Sequence, residues 1–282
     1  MKHLKNKTIP VSVIIPAKNE EKNIKSCLEA LQDFSQIIVV DSNSTDGTKT
    51  IVESLGAAYV NFEWNGKFPK KRNWILQNFD FKHDWVLFLD ADEIITPKFQ
   101  DELSRAINNS HFDGYWLKYT NHFMGKRLRF GDSMRKLALF KRQVGAYERI
   151  DEEHWSNLDM EIHEHPIIEG KVGKINSPII HNDYRGLAHY ISKHNSYSSW
   201  EARRYLQLKR DSQNSLNFRQ KVKYRLLSLG LLPIVYFISS YVIKGGFLDG
   251  KEGLAFAKLK ANYFYQIQLK IAEFSYNNLN IK

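Results

Sequence analysis

Trp85-Val86-Leu87-Phe88-Leu89-Asp90-Ala91-Asp92-Glu93 decides how this chain is read. Five apolar residues run straight into three carboxylates. An unbroken apolar run of that length predicts a strand covered on both faces, as in a parallel sheet. The acids then fall at its carboxyl end, the edge at which open α/β sheets bind ligands. Asp90 and Asp92 are two positions apart, so an extended backbone would put both side chains on one side. Paired carboxylates beside an open site suit Mg²⁺ or Mn²⁺, which bind through one or two carboxylates plus substrate phosphates. The plainer alternative is a strand that ends in a polar turn before a helix. Asp-x-Asp is short enough to arise by chance, so the decision belongs to the rest of the chain.

Upstream, Val11-Ser12-Val13-Ile14-Ile15-Pro16 predicts a first strand, followed by Ala17-Lys18-Asn19-Glu20-Glu21. Asn19 suits the N-cap of the next helix, with acids in its first turn. Gln36-Ile37-Ile38-Val39-Val40-Asp41 predicts a second buried strand that again ends in an Asp, before Ser42-Asn43-Ser44-Thr45-Asp46-Gly47-Thr48. A helix follows to Leu55, with Gly56 at its C-terminal end. Ala58 to Asn61 predicts a short third strand. Lys67 to Phe79 predicts a helix with Pro69 near its first turn. After the acids, Thr96-Pro97 makes an N-cap and first-turn pair for a helix to about Ile107. Strand and helix alternate four times, the pattern of a parallel sheet flanked by helices. Three strand ends carry ligand-type groups on one edge, and that favours the site reading of Asp90 and Asp92.

Beyond Gly114 the pattern changes. Tyr115 to Phe123, Lys136 to Lys141 and Gly170 to His181 predict strands, antiparallel and mixed into the sheet edge. Tyr147 to His165, aromatic and acidic, reads as a long loop, and such loops in compact domains are often functional. A helix is expected from Gly186 to about Arg210. Leu226 to Ile243 holds no charged residue across 18 positions, the lower limit for a membrane span. Gly230 and Pro233 interrupt it. It reads as two short helical pieces broken near Pro233, lying in a membrane interface; a full span and a buried core helix are the alternatives. Phe247 to Phe274 predicts a last helix.

The chain has 282 residues, 43% of them hydrophobic, and a formal net charge of +10. That size allows one large domain or a domain with appendages. The single Cys27 excludes a disulfide framework and a cysteine-rich zinc site. The basic segment Met1 to Thr8 precedes too short an apolar run for a signal peptide. The positive charge implies an anionic partner: nucleic acid, nucleotide phosphates or an anionic membrane. It concentrates between Arg203 and Arg225, directly before the uncharged stretch, and basic residues so placed favour an anionic leaflet.

Val13 to Glu20, Val39 to Thr48 and Phe88 to Glu93 resemble, in order and spacing, the family 2 inverting glycosyltransferases of the GT-A fold. The resemblance covers residues 9 to about 110. Ile162-His163-Glu164, Ile180-His181 and Gly246-Phe247-Leu248-Asp249-Gly250 resemble a narrower branch that includes β-1,4-glucosyltransferases of the lipopolysaccharide core. The resemblance implies an α/β, Rossmann-like fold: a mostly parallel central sheet with helices on both faces. Residues 1–210 would form that domain and 211–282 a C-terminal helical, membrane-associating region.

A nucleotide-sugar donor is implied, most often UDP-linked. Pro16, Ala17, Glu20 and Asp41 match the contacts to base and ribose, and Lys71, Arg72 and Asn73 match a segment near the donor. The chemistry agrees, since a carboxylate accepts the uracil N–H and Arg pairs with diphosphate. The plainer reading of Lys70-Lys71-Arg72 is a solvated helix face. Asp92 would ligate Mg²⁺ or Mn²⁺, with Asp90 and Ala91 on the donor side. His181 is either a further metal ligand or a satisfied core histidine. An inverting transferase needs a carboxylate to take the acceptor's proton. Glu164 is the choice for that base, ahead of Glu161 and Asp159, and an exposed acidic loop is the alternative.

The Glu-Asp and Gln-x-x-Arg-Trp elements of processive synthases are missing, which argues for a single sugar added. The expected function is transfer of one hexose to a glycolipid or lipid-linked saccharide of the cell envelope. The expected place is the cytoplasmic face of the inner membrane, held peripherally or monotopically on an anionic surface. Two other classes stay open: a catalytically silent sugar-nucleotide-binding scaffold at the membrane, and a basic nucleic-acid-binding protein. The second lacks an RNA-binding signature.

Overall fold

The computed structural model describes residues 8–109, 111–149, 159, 166–181, 186–210 and 218–279. In chain order, β1 (Ile9–Ala17), α1 (Ile24–Glu29), β2 (Phe34–Asp41), α2 (Thr48–Ser54) and β3 (Ala58–Asn61) alternate as expected. α3 (Lys71–Asn78), β4 (Trp85–Phe88), β5 (Glu93–Ile94), α4 (Pro97–Ile107) and β6 (Gly114–Tyr119) follow. β7 (Asn121–Phe123) and β8 (Lys126–Leu128) form a separate two-stranded ribbon. Next come β9 (Arg135–Lys141), β10 (Gly145–Tyr147), β11 (Pro166–Ile168) and β12 (Val172–His181). The rest is helical: α5 (Leu187–Arg210), α6 (Phe218–Ser228), α7 (Leu232–Phe237), a π turn (Ile238–Ile243), a 3-10 turn (Gly246–Asp249) and α8 (Gly250–Leu279).

Two compact units result. The first comprises residues 1–120 and 134–182, the second residues 121–133 and 183–282. The sequence placed its boundary at 210, after the helix that begins near Gly186. In the structure that helix, α5, goes with the second unit, because Ala202 and Leu208 pack there with Tyr263 and Ile267 of α8.

The first unit is a mixed α/β domain around an eight-stranded sheet in the order β3-β2-β1-β4-β9-β6-β12-β5. β1–β2, β2–β3, β1–β4 and β6–β12 are parallel; β4–β9, β6–β9 and β5–β12 are antiparallel. All four residues of β4 are buried, as its unbroken apolar run requires. β9 does not lie at the edge, as the sequence suggested. It sits between β4 and β6 and delivers Leu137, Ala138, Leu139 and Phe140 to the core. Thr96 caps α4 as predicted, its hydroxyl accepting from Phe99 N at 3.2 Å, with Pro97 in the first turn.

Asn19 does not cap α1. That helix starts at Ile24, with Asn23 in the cap position and no side-chain cap bond. Asn19 instead takes a left-handed backbone (φ 56°), which Asn tolerates better than most residues. α3 begins at Lys71 rather than Lys67, because residues 64–67 close a turn of their own, with Trp64 Nε1 donating to Lys67 O at 2.8 Å.

In the second unit, Asp249 is buried and accepts from Arg129 N at 3.0 Å and Phe130 N at 2.9 Å. Lys126 Nζ donates to Asp249 O at 2.6 Å. These bonds tie the β7–β8 ribbon to the start of α8. The neighbouring glycines are there for space. A Cβ on Gly253 would lie 2.1 Å from Gly246 O, and one on Gly246 would lie 2.8 Å from Ser240 O. Asp249→Ala leaves the two amides without their acceptor. Arg129 and Phe130 are exposed residues, so the expected loss is at the lower end of 1–3 kcal/mol for each stranded group, about 2 kcal/mol in all, read as a lowered midpoint in urea.

The uncharged stretch breaks near Pro233, as expected: α6 ends at Ser228, the chain turns at Gly230 (φ 75°) and α7 starts at Leu232. Pro233 sits in the first turn of α7, where its missing N–H costs nothing. Among the described residues, no helix is long and apolar enough to cross a membrane.

Candidate active site

The loops after β1 and β2 are stitched to each other by the polar residues between Asn19 and Thr48. Asn19 N donates to Ser44 Oγ at 2.7 Å, and Asn19 Oδ1 accepts from Thr45 N at 2.9 Å. Glu20 N donates to Thr48 Oγ1 at 2.9 Å, and Glu21 N to Asp46 Oδ2 at 3.1 Å. Gly47 N returns the contact to Glu21 Oε2 at 3.1 Å, and a Cβ on Gly47 would meet that side chain at 3.0 Å. The Ser-Asn-Ser-Thr-Asp-Gly-Thr segment therefore builds one wall of the sheet's carboxyl edge. Glu20, in the loop before α1, accepts from Asn23 Nδ2 at 2.7 Å.

Asp41 ends β2 fully buried. Its Oδ2 accepts from Ser44 N at 2.7 Å and Tyr59 OH at 2.9 Å, and its Oδ1 from Ser44 Oγ. Burial, with Asp41 alongside, pushes the Tyr59 phenol up to about 12. Pro16 and Ala17 lie beside Val40 and Asp41 in register. Ala17 O accepts from the buried Lys71 Nζ at 3.0 Å. Lys71 also pairs with Asp159 at 3.4 Å, and Asp159 accepts from Ser42 Oγ. Burial lowers the Lys71 ammonium against the pull of Asp159. Asp159, despite its own burial, is held below the usual range by Lys71 and Ser42. Asn73 is committed to backbone. Its amide donates to Tyr147 O and accepts from Tyr147 N, both at 3.0 Å, which fixes β10 against α3.

The Asp90–Glu93 segment is a turn, not the extended continuation of a strand. Leu89 N still joins the sheet at Ile14 O. Then Glu93 N donates to Asp90 O and Asp90 N to Glu93 Oε2, each at 3.0 Å. The reciprocal closure points the two Asp side chains to different partners. Asp90 faces Lys136 Nζ at 2.5 Å and Arg72 Nη2 at 3.5 Å. Lys136 also pairs with Glu93, which is buried. Asp92 Oδ1 faces His181 Nε2 at 3.8 Å. His181 reaches it because β5 pairs with β12, placing Glu93 opposite His181. Ala91 is buried between the two acids.

Burial works against the Asp90 carboxylate, but Lys136 and Arg72 outweigh it and hold its pKa well below the ordinary range. Burial, with Asp90 adding, pushes Glu93 up to about 8. Burial also opposes the charge of Lys136, yet Asp90 and Glu93 hold its pKa well above the ordinary value.

Lys136 and Tyr119 are the site residues that sequence reading missed. Both come from strands paired across the sheet, β9 and β6. Lys136 Nζ lies 5.0 Å from the Tyr119 ring centroid, and that ring meets His181 edge-on at 6.4 Å. The buried Tyr119 hydroxyl makes no hydrogen bond among the described residues. No local motif marks either residue. Lys136→Met removes the cation that Asp90 and Glu93 share and leaves the Asp90 charge without its main partner, and removing one partner of a buried pair typically costs 3–5 kcal/mol. Lys136 and Asp90 are partly open, so the lower end, about 3 kcal/mol, is expected as a fall in thermal midpoint of roughly 6–12 °C.

Among the described residues, no three His, Cys, Asp or Glu side chains gather closely enough to hold a metal by themselves. Asp92 and His181 offer one oxygen and one nitrogen, which fits a divalent ion that takes its other ligands from substrate phosphates and water. Asp90 fits the direct shell poorly, since Lys136 and Arg72 already face its two oxygens. Glu164, Glu161 and His163 lie outside the described residues.

The family model described as Glycosyl transferase family 2 matches residues 12–163, just over half of the chain, and the chain belongs to that family. Over most of its length the chain is similar to two curated glycosyltransferases. It is 27% identical to the lipopolysaccharide core biosynthesis glycosyltransferase LpsC of Rhizobium meliloti, across 92% of this chain and 93% of that protein. It is 24% identical to the uncharacterised glycosyltransferase RT0209 of Rickettsia typhi, across 96% of this chain and 89% of that protein. Among solved structures, glucosyl-3-phosphoglycerate synthase from Mycobacterium tuberculosis, in complex with Mn²⁺, UDP and glucosyl-3-phosphoglycerate, aligns at 25% identity. The TM-score is 0.31, and the match covers 37% of this chain and 42% of that one, less than half its length.

Proposed function

We propose that this glycosyltransferase moves a single hexose from a UDP-sugar to a lipid-linked saccharide, inverting the anomeric centre, in assembly of the lipopolysaccharide core. The observation that carries the reading is the approach of Asp92 to His181, 3.8 Å apart at the carboxyl end of β4, beside an Asp90 held by two cations. Similarity to LpsC supports the lipopolysaccharide acceptor. A lipid-borne acceptor and a cytosolic donor put the reaction at the cytoplasmic face of the inner membrane.

Asp41, the expected acceptor for a uracil N–H, is buried and bonded to Ser44 and Tyr59, so it acts on the base by setting the Ser42–Thr48 loop, and Pro16, Ala17 and Glu20 shape the base and ribose pocket. Lys71 sets the loop through Ala17 O, while Arg72 leans toward the diphosphate. Asn73 acts at one remove, through Tyr147. Asp92 and His181 would hold Mg²⁺ or Mn²⁺, which neutralises charge on the departing diphosphate. Glu164 takes the proton of the acceptor hydroxyl as that oxygen attacks.

The test is a panel of nucleotide sugars, first by thermal shift with Mg²⁺ or Mn²⁺, then by transfer to a lipid-linked core acceptor. One UDP-hexose is expected to raise the melting temperature by several degrees and to give a product of inverted configuration. Binding without turnover on any acceptor is the result expected of a silent scaffold. A folded protein that binds no nucleotide sugar overturns the reading.

A further inference from the structure

We infer that α7 and the π turn after it form a docking face for an anionic lipid bilayer, lying along the membrane rather than crossing it. Leu231, Ile234, Val235, Ile238, Val242 and Ile243 are exposed and recur at helical spacing, so they share one face. Ile234 is 59% and Ile243 76% exposed, whereas Leu232 and Ser240, toward the unit's interior, are 8% and 2%. This inverts the usual rule for a surface helix, which turns its polar side to water. The face continues beyond the π turn. Phe247 and Leu248 of the 3-10 turn are exposed, as is Phe130, and a Cβ built on Gly245 would lie 3.3 Å from Leu248 and 3.7 Å from Phe130.

The rim decides the occupant. Exposed Lys221 and Arg225 precede the face on α6, and exposed Lys244 and Lys251 follow it. Of the acids near it, Asp132 is tied to Tyr236 OH at 2.7 Å and pairs with Lys244 at 3.9 Å. Asp249 is buried, and Glu252 pairs with Lys126. A two-fold dimer through this face would set like basic rims against each other. Anionic headgroups complement the same rim, while the apolar row enters the acyl boundary. Length argues against crossing. Two six-residue pieces give at most about 18 Å of helix, against a hydrocarbon core of ~30 Å.

The inference needs neither donor nor acceptor, so its failure and that of the transfer reading are separable. The experiment is flotation of the full chain with phosphatidylcholine vesicles, with and without 30% phosphatidylglycerol, at low and high salt. Binding is expected only to the anionic vesicles and is weakened by salt. The double variant Ile234→Asp/Ile238→Asp is expected to lose at least ~10-fold in partitioning, and Lys221→Glu/Arg225→Glu a similar factor, with transfer to a soluble acceptor retained.

A third arm does not rely on a disruptive change. Ile238→Cys carrying an environment-sensitive dye is expected to brighten and shift to the blue on anionic vesicles, while Leu55→Cys, exposed in the first unit, is not. Native Cys27 is buried and stays unlabelled. Equal partitioning of wild type and both double variants overturns the inference. So does a dye at 238 that responds to protein concentration, with a matching doubling of mass, and not to vesicles.

Discussion

Asp92→Asn is expected to lower kcat/KM for sugar transfer by about 10³–10⁴-fold, with little change in melting temperature. The factor corresponds to roughly 4–5.5 kcal/mol of transition-state stabilisation, the several kcal/mol that an ion on a leaving diphosphate contributes. The effect should be this large because, among the described residues, Asp92 and His181, 3.8 Å apart, are the pair that can offer ligands to such an ion. The change is nearly isosteric, and Asp92 is not part of the Lys136 network, so the fold should hold.

Asp90→Asn should behave differently. It leaves Lys136 and Arg72 with less countercharge, and so costs stability more than metal affinity. The two variants are separated by titrating Mn²⁺ in the presence of donor: Asp92→Asn should weaken the ion's binding at least tenfold, Asp90→Asn by much less. Full wild-type activity in excess chelator, or an unaltered Asp92→Asn enzyme, would rule out the ion's role.

Glu164→Gln is the second large effect, a fall in kcat of about 10²–10⁴-fold with donor binding preserved. The amide keeps size and hydrogen bonding but cannot take a proton. The pH profile separates this from a binding defect: the acidic limb of wild-type kcat, where the base becomes protonated, should vanish in the variant. Asp159 is tied to Ser42 and Lys71. Pro166 pairs with Tyr147, whose ring lies 5.1 Å from the Arg72 guanidinium. Asp159 is itself a poor base, because Lys71 holds it ionised and in place. A folded Glu164→Gln protein with normal turnover would move the role elsewhere.

The left half of the sheet was legible because its strands are unbroken apolar runs, whose burial can be read without knowing which strand each one pairs with. Val13-Ile14-Ile15, Ile38-Val39-Val40 and Val86-Leu87-Phe88 each predicted a buried strand and became one. The acids at their ends were legible for the same reason. What failed depended on pairing over distance. β9 reads as an ordinary short strand, and nothing local says that it enters between β4 and β6 and brings Lys136 onto Asp90 and Glu93. Tyr119 is invisible for the same reason. Asp90-Ala91-Asp92 was read as extended because a period of two was assumed to run on past Leu89; the Glu93 carboxylate closes a turn on Asp90 N instead. Asn19 was given a local capping role, whereas its side chain serves a loop 26 residues away.

The anchoring of the β7–β8 ribbon by Asp249 carries a consequence for synthesis. Arg129 and the carboxylate that receives its amide are 120 residues apart. At roughly 5–20 residues per second, the ribbon leaves the ribosome about 6–24 s before its anchor exists. A lone two-stranded ribbon is marginal in water. For that interval it is a nascent segment without its fixing partner, between two stretches of the sheet domain that can already begin to pair. The second unit is thus completed late, and from both ends of the chain's timetable at once.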